Sequence, residues 1–178
     1  DLGEAKVENF RIVQINPDVA SVDLAWDEVV GAIEYELTIA EFNNTQVVVA
    51  PAVTHTLVLS MGQRFAVSIV AKLDETTKTP ASKLTVAMPY APVQNFQATD
   101  IMATSFKLTW EQEPGLSYRL WDTLSTYTEV INSNTKSFSN LTPGWAYSFR
   151  IVAFKDSLES YQATELEVAD TLLEEPLA

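Results

Sequence analysis

The sequence predicts an all-β chain folded as two tandem seven-stranded β-sandwiches. Three observations predict it. Apolar residues alternate with polar ones at a period of two, turn residues separate the alternating runs, and the whole pattern repeats once along the 178 residues.

The alternation is clearest in three runs of the first half. Val22, Leu24 and Trp26 form one, Tyr35, Leu37 and Ile39 a second, and Phe65, Val67, Ile69 and Ala71 a third. A strand places successive side chains on opposite faces, so each run is a strand with one face toward a core. The second half repeats the sets as Phe106, Leu108 and Trp110, then Tyr118 and Leu120, then Tyr147, Phe149, Ile151 and Ala153. Turns are expected at Asn16-Pro17-Asp18, Asn43-Asn44, Glu113-Pro114-Gly115 and Pro143-Gly144. No segment carries a capped helical stripe.

The repeat is visible residue by residue. Val7-Glu8-Asn9-Phe10 returns as Val93-Gln94-Asn95-Phe96, Leu24-Ala25-Trp26 as Leu108-Thr109-Trp110, and Ile69-Val70-Ala71-Lys72 as Ile151-Val152-Ala153-Phe154. The offset shrinks by two residues at a time, as loop deletions would make it, because paired strands cannot absorb a slip in register. The expected domains are residues 1–90 and 91–178. Pro89-Tyr90-Ala91-Pro92 is expected to be a short, rather rigid linker, since proline lacks the ladder N–H and stiffens the chain.

These residues resemble the fibronectin type III family of immunoglobulin-like sandwiches, over nearly the whole chain. Trp26 and Trp110 fit the second-strand Trp, and Tyr35 and Tyr118 fit the Tyr that opens the third strand. The most specific piece is Leu141-x-Pro143-Gly144-x-x-Tyr147, the tyrosine corner, in which the Tyr hydroxyl bonds back to the upstream turn. The first copy departs from it, with Met61 for the Pro and Phe65 for the Tyr, so a looser corner is expected there. The resemblance implies a fold. It says little of function, because one fold hosts many.

Composition narrows the function by exclusion. The net charge is −13, with 11 basic against 24 acidic residues, which argues against a nucleic-acid partner. With no cysteine there are no disulfides and no thiol chemistry. No apolar run approaches the roughly 20 residues of a membrane helix, so no membrane insertion is expected. The charge is spread evenly, 12 acidic against 6 basic residues in 1–91 and 12 against 5 in 92–178, as on a solvated acidic surface. His55, the sole histidine, is expected at the surface near the start of a strand. No Ser carries a nucleophile-elbow signature, and no calcium or phosphate loop is present. The carboxylates Glu111, Glu113 and Asp122, and the loop pair Asp74-Glu75, are the candidates for a paired acid and base. Asn43 and Asn140 open Asn-x-Thr tripeptides, and neither loop before a last strand holds Arg-Gly-Asp. No enzyme activity, cofactor or metal is expected.

One face departs from the bland pattern. If Tyr118 and Leu120 point inward, Arg119 and Trp121 point outward. If Phe149 and Ile151 point inward, Arg150, Val152 and Phe154 point outward. The third and sixth strands of this fold are neighbours, so Trp121, Phe154 and Val152 should share an exposed face flanked by Arg150 and Arg119. Such a cluster is a candidate binding patch. The equivalent first-copy face carries Glu36, Thr38, Ala40, Ala66, Ser68, Val70 and Lys72. The expected function is a non-catalytic extracellular or cell-surface module, a spacer or a protein-binding and adhesion platform, with an exported bacterial protein as one fitting setting. The acidic tail Leu172–Pro176 reads as the start of another linker, and the chain as a monomeric fragment of a longer protein. The alternative is carbohydrate binding, with Trp121, Phe154 and Trp145 as stacking platforms.

Overall fold

The computed structural model describes residues 5–124 and 126–168. The chain divides into two compact units, Asp1–Met88 and Pro89–Ala178. The tail at 172–176 lies outside the described residues.

The first unit has seven strands. β1 (Arg11–Asn16), β2 (Ser21–Ala25) and β5 (Thr54–Val58) make one antiparallel sheet in the order β1-β2-β5. β3 (Glu34–Ile39), β4 (Asn44–Val49), β6 (Gln63–Lys72) and β7 (Ser82–Met88) make the other, in the order β4-β3-β6-β7. The second unit repeats the plan. β8 (Gln97–Thr99), β9 (Phe106–Thr109) and β12 (Thr135–Phe138) form its three-stranded sheet. β11 (Thr128–Ile131), β10 (Ser117–Asp122) and β13 (Tyr147–Lys155) form the second sheet, in which β13 also pairs β14 (Leu158–Glu159) and β15 (Thr164–Val168).

Each unit has its own core. Trp26, Tyr35, Leu37, Phe65 and Ile69 fill the first, and Trp110, Tyr118, Leu120, Phe149 and Ile151 the second. The aromatic packing repeats with the sequence. Phe10 meets Trp26 edge-on at 6.3 Å, and Tyr35 tilts against Trp26 at 5.3 Å. Phe96, Trp110 and Tyr118 do the same at 6.2 and 5.7 Å. These separations are the ones aromatic quadrupoles favour.

The polar frame repeats as well. The Tyr35 hydroxyl accepts the Val29 N–H at 3.0 Å, and the Tyr118 hydroxyl accepts the Glu113 N–H at 2.8 Å. Each third-strand Tyr thus ties down the loop before it. Burial pushes the Tyr118 hydroxyl above the ordinary tyrosine range and keeps it neutral. Asn9 and Asn95 both sit at φ +55°, a left-handed conformation that Asn tolerates, which explains why the Asn recurs in the repeat. The backbone bonds Asp27 N–H to Glu8 C=O and Glu111 N–H to Gln94 C=O then fasten the two equivalent turns, both at 2.9 Å.

In the Pro89–Pro92 segment, Tyr90 donates its N–H to the Glu159 carbonyl and accepts from the Tyr161 N–H, both at 3.0 Å, which ties the start of the second unit to its own sheet. The first corner is filled by packing in place of a hydroxyl bond. Phe65 is fully buried against Phe42, with ring centres 5.3 Å apart, and the Gly62 N–H reaches the Met88 carbonyl at 3.1 Å. The second corner closes as expected, with the Tyr147 hydroxyl accepting the Thr142 N–H at 2.9 Å.

Candidate functional site

The outer face of β10 and β13 is set by their antiparallel register, in which Ser117 lies opposite Phe154, Arg119 opposite Val152, and Trp121 opposite Arg150. The residues between them, Tyr118, Leu120, Phe149, Ile151 and Ala153, are buried in the core. Alternation therefore brings Arg119, Trp121, Arg150, Val152 and Phe154 onto one surface, the grouping the sequence predicts.

Their exposure differs from the expectation. Val152 is only 6% exposed, and Trp121 and Phe154 are half-buried. The arginines lie against both rings. The Arg119 guanidinium carbon lies 4.7 Å from the centre of the Phe154 ring and 5.8 Å from that of Trp121, and Arg150 lies 5.4 Å from Trp121. The order along the face is Arg150, Trp121, Arg119, Phe154, so cations and rings alternate. Arg119 stands opposite Val152 in the register and reaches Phe154. The positive head sits on the negative ring face while the methylene stem covers apolar surface. Each such contact at an exposed site is worth about 0.5–1 kcal/mol.

A carboxylate steadies the array. Glu159 on β14 approaches Arg119 at 3.8 Å. Glu165 on β15 stands opposite Arg150 in the register. The face thus sets guanidinium edges and aromatic rims side by side, with carboxylates at its border. A sugar ring would need the places the guanidiniums already occupy on Trp121 and Phe154. Trp145, the third stacking candidate, is 62% exposed and lies outside this face, in the turn before β13.

The equivalent face of the first unit is built from ordinary ion pairs. Lys72 meets Glu34 at 3.2 Å, and Lys78 meets Glu36 at 2.8 Å. No aromatic residue stands at Thr38, Ser68 or Val70.

The other candidates resolve into structural roles. His55 is not a plain surface residue. It is the second residue of β5, half-buried, with Nε2 2.7 Å from Gln46 Oε1 on β4. Burial pushes its imidazole below the ordinary histidine value. Sequence reasoning missed this bond because β4 and β5 belong to different sheets. Glu111 and Glu113 precede β10, whereas Asp122 closes it and accepts the Leu124 N–H at 2.9 Å, so these acids do not converge. Asp74 accepts the Thr76 and Thr77 N–H groups, both at 2.8 Å, which holds its carboxyl below the usual range and shapes the β6–β7 turn. Among the described residues, no cluster of three metal-ligating side chains occurs.

Two sandwiches with this strand order, one of three and four strands and one of three and five, a Trp just after the second strand and a Tyr on the third strand of each, and a closed tyrosine corner in the second define a tandem pair of fibronectin type III folds. A family model for the fibronectin type III domain matches residues 91–168, the span that holds Pro143, Gly144 and Tyr147. Among solved structures, a two-fibronectin type III domain segment from chicken tenascin is 14% identical to this chain. It covers 93% of the chain, is itself covered in full, and superposes with a TM-score of 0.67. The central fibronectin III array of a RIM-binding protein is 11% identical, covers the whole chain with 72% of its own length, and gives a TM-score of 0.41. No curated protein matches the chain. Modules of this family are in general non-catalytic, acting as spacers or as protein-interaction platforms.

Proposed function

We propose that the chain is a non-catalytic module of an extracellular or cell-surface protein, and that the outer face of β10 and β13 is its protein-binding surface. The observation that carries this reading is the array of Arg150, Trp121, Arg119 and Phe154 on an otherwise acidic chain. Two units that share one frame differ here, and the difference is in residue types that dominate protein interfaces, Trp and Arg. The array presents guanidinium donors and ring edges together on one surface. The first unit then serves as a spacer.

The test is capture from extracellular or cell-surface extract by the intact pair and by the Trp121→Ala/Phe154→Ala variant, with circular dichroism to confirm that the variant is folded. Specific capture by the parent alone supports the reading. Equal capture by both, or by neither, leaves the pair as a spacer. A glycan titration run alongside should be flat, because the guanidiniums already cover the rings.

A further inference from the structure

The outer face of β10 and β13 is bordered differently on its two sides. On β11 it meets Thr128 and Val130, which stand opposite Trp121 and Arg119. Beyond β13 it meets carboxylates. Glu159 stands opposite Phe154, Glu165 opposite Arg150, and Glu167 opposite Ser148. Arg119 approaches Glu159 at 3.8 Å. Glu165 and Glu167 are exposed, and among the described residues neither has a Lys or Arg within ion-pair distance. Arg150 leaves Glu165 uncompensated because its guanidinium lies on the Trp121 ring, and β10 and β15 flank β13 on opposite sides. The first unit has other residue types at these places. Lys83 and Thr85 on β7 stand opposite Ser68 and Ala66, the counterparts of Arg150 and Ser148. Its glutamates on β3, Glu34 and Glu36, are paired with Lys72 and Lys78.

We infer that the partner of the β10–β13 face is a basic segment of another protein, whose cations sit on Glu165 and Glu167 at the β15 border. The inference rests on that face being a binding surface and names the chemistry of what it binds. Charge complementarity selects the partner at two ranges. At a distance the field is that of the whole chain, −13, which draws a cationic partner and repels an anionic one. In contact, both arginine heads already rest on rings, and Arg119 has Glu159 besides, whereas Glu165 and Glu167 have no cation. Spacing adds a geometric match. Glu165 and Glu167 are alternate residues of β15, so they stand about 7 Å apart, the interval at which an extended chain carries side chains on one face. Lysines at alternate positions therefore reach both carboxylates at once.

The test is an NMR titration of the intact chain with the synthetic peptide acetyl-Lys-Ser-Lys-Ser-Lys-amide and with its glutamate counterpart. The lysine peptide should shift the backbone amides of β13 and β15 and leave those of β6 and β7 in place, so the first unit serves as the control on the same molecule. Binding should weaken several-fold between about 0.05 M and about 0.5 M salt. Glu165→Gln/Glu167→Gln, at exposed positions away from the core, should weaken it several-fold while circular dichroism stays that of the parent. Shifts spread evenly over both units would overturn the inference, as would a double variant that binds as the parent does. Shifts at Arg119 and Arg150 with the glutamate peptide alone would overturn it and keep the face as a binding surface for a partner of opposite charge. A face silent to both peptides would also overturn it, while the extract capture decides the face itself.

Discussion

Across the open side of the first sandwich, His55 on β5 hydrogen-bonds Gln46 on β4 at 2.7 Å. Across the same side of the second, Lys136 on β12 meets Glu129 on β11 at 2.8 Å. The register shows that these are the same two places. Gln46 and Glu129 stand opposite Leu37 and Leu120, and His55 and Lys136 stand opposite Leu24 and Leu108. Geometry brings these edge positions together, and any complementary polar pair serves there. The β6–β7 turn and its counterpart teach the same thing. The Thr79 hydroxyl accepts the Ala71 N–H at 2.9 Å, and the Ser160 hydroxyl accepts the Ala153 N–H at 3.0 Å. Position persists while residue type drifts.

The comparison can be broken first at its core. Trp26→Ala should cost about 3–5 kcal/mol in the first unit, and Trp110→Ala as much in the second. Since the cores are separate clusters, a urea melt should show one transition displaced and the other unmoved in each variant. Movement of both transitions in either variant would refute the equivalence of two independent cores.

Next come the buried hydroxyls. Thr79→Ala and Ser160→Ala each strand a buried backbone N–H, at a cost of about 1–3 kcal/mol. Thr79→Ser should be nearly neutral, because it keeps the acceptor. A large loss in the Ser variant would mean that the methyl matters more than the bond.

The corner should separate the units. Tyr147→Phe removes the acceptor for the Thr142 N–H and should cost about 1 kcal/mol by chemical denaturation. The first unit already has Phe65 at that place, buried and packed on Phe42.

The smallest effects sharpen the edge pair. The Glu129–Lys136 pair is partly exposed, so Glu129→Gln should change stability by less than about 1 kcal/mol, and less still at high salt. The first unit should respond to pH instead. Its folded state holds His55 below the ordinary value of 6.5, so the unfolded chain takes a proton that the folded unit resists. Stability of the first unit is then full above pH 6.5 and declines as pH falls below it. The second unit has no histidine and should be flat across that window. Melts between pH 8 and about pH 5, repeated with His55→Gln, check the sign.

Much of this was legible in the sequence. The strands, the paired Trp and Tyr residues and the second corner follow from alternation and repetition, because a core repeats when its volume and face must. The membership of the β10–β13 face was legible for the same reason. Its cover was not, since alternation says where Arg119 starts and not where its long side chain comes to rest. His55–Gln46 and Glu129–Lys136 were hidden because their residue types differ and their partners lie in opposite sheets. Thr79 and Ser160 were hidden by hairpins of different length, which move the two hydroxyls out of alignment.

The central claim is that two separate units stand on one equivalent polar frame. Amide exchange of Ala71 and Ala153, read by NMR in the intact chain and in Thr79→Ala, tests it most directly. The account predicts that the Ala71 N–H loses protection while Ala153 keeps its own, with the mirror result in Ser160→Ala. Unchanged exchange at Ala71, or loss of protection at both sites in either variant, would contradict it.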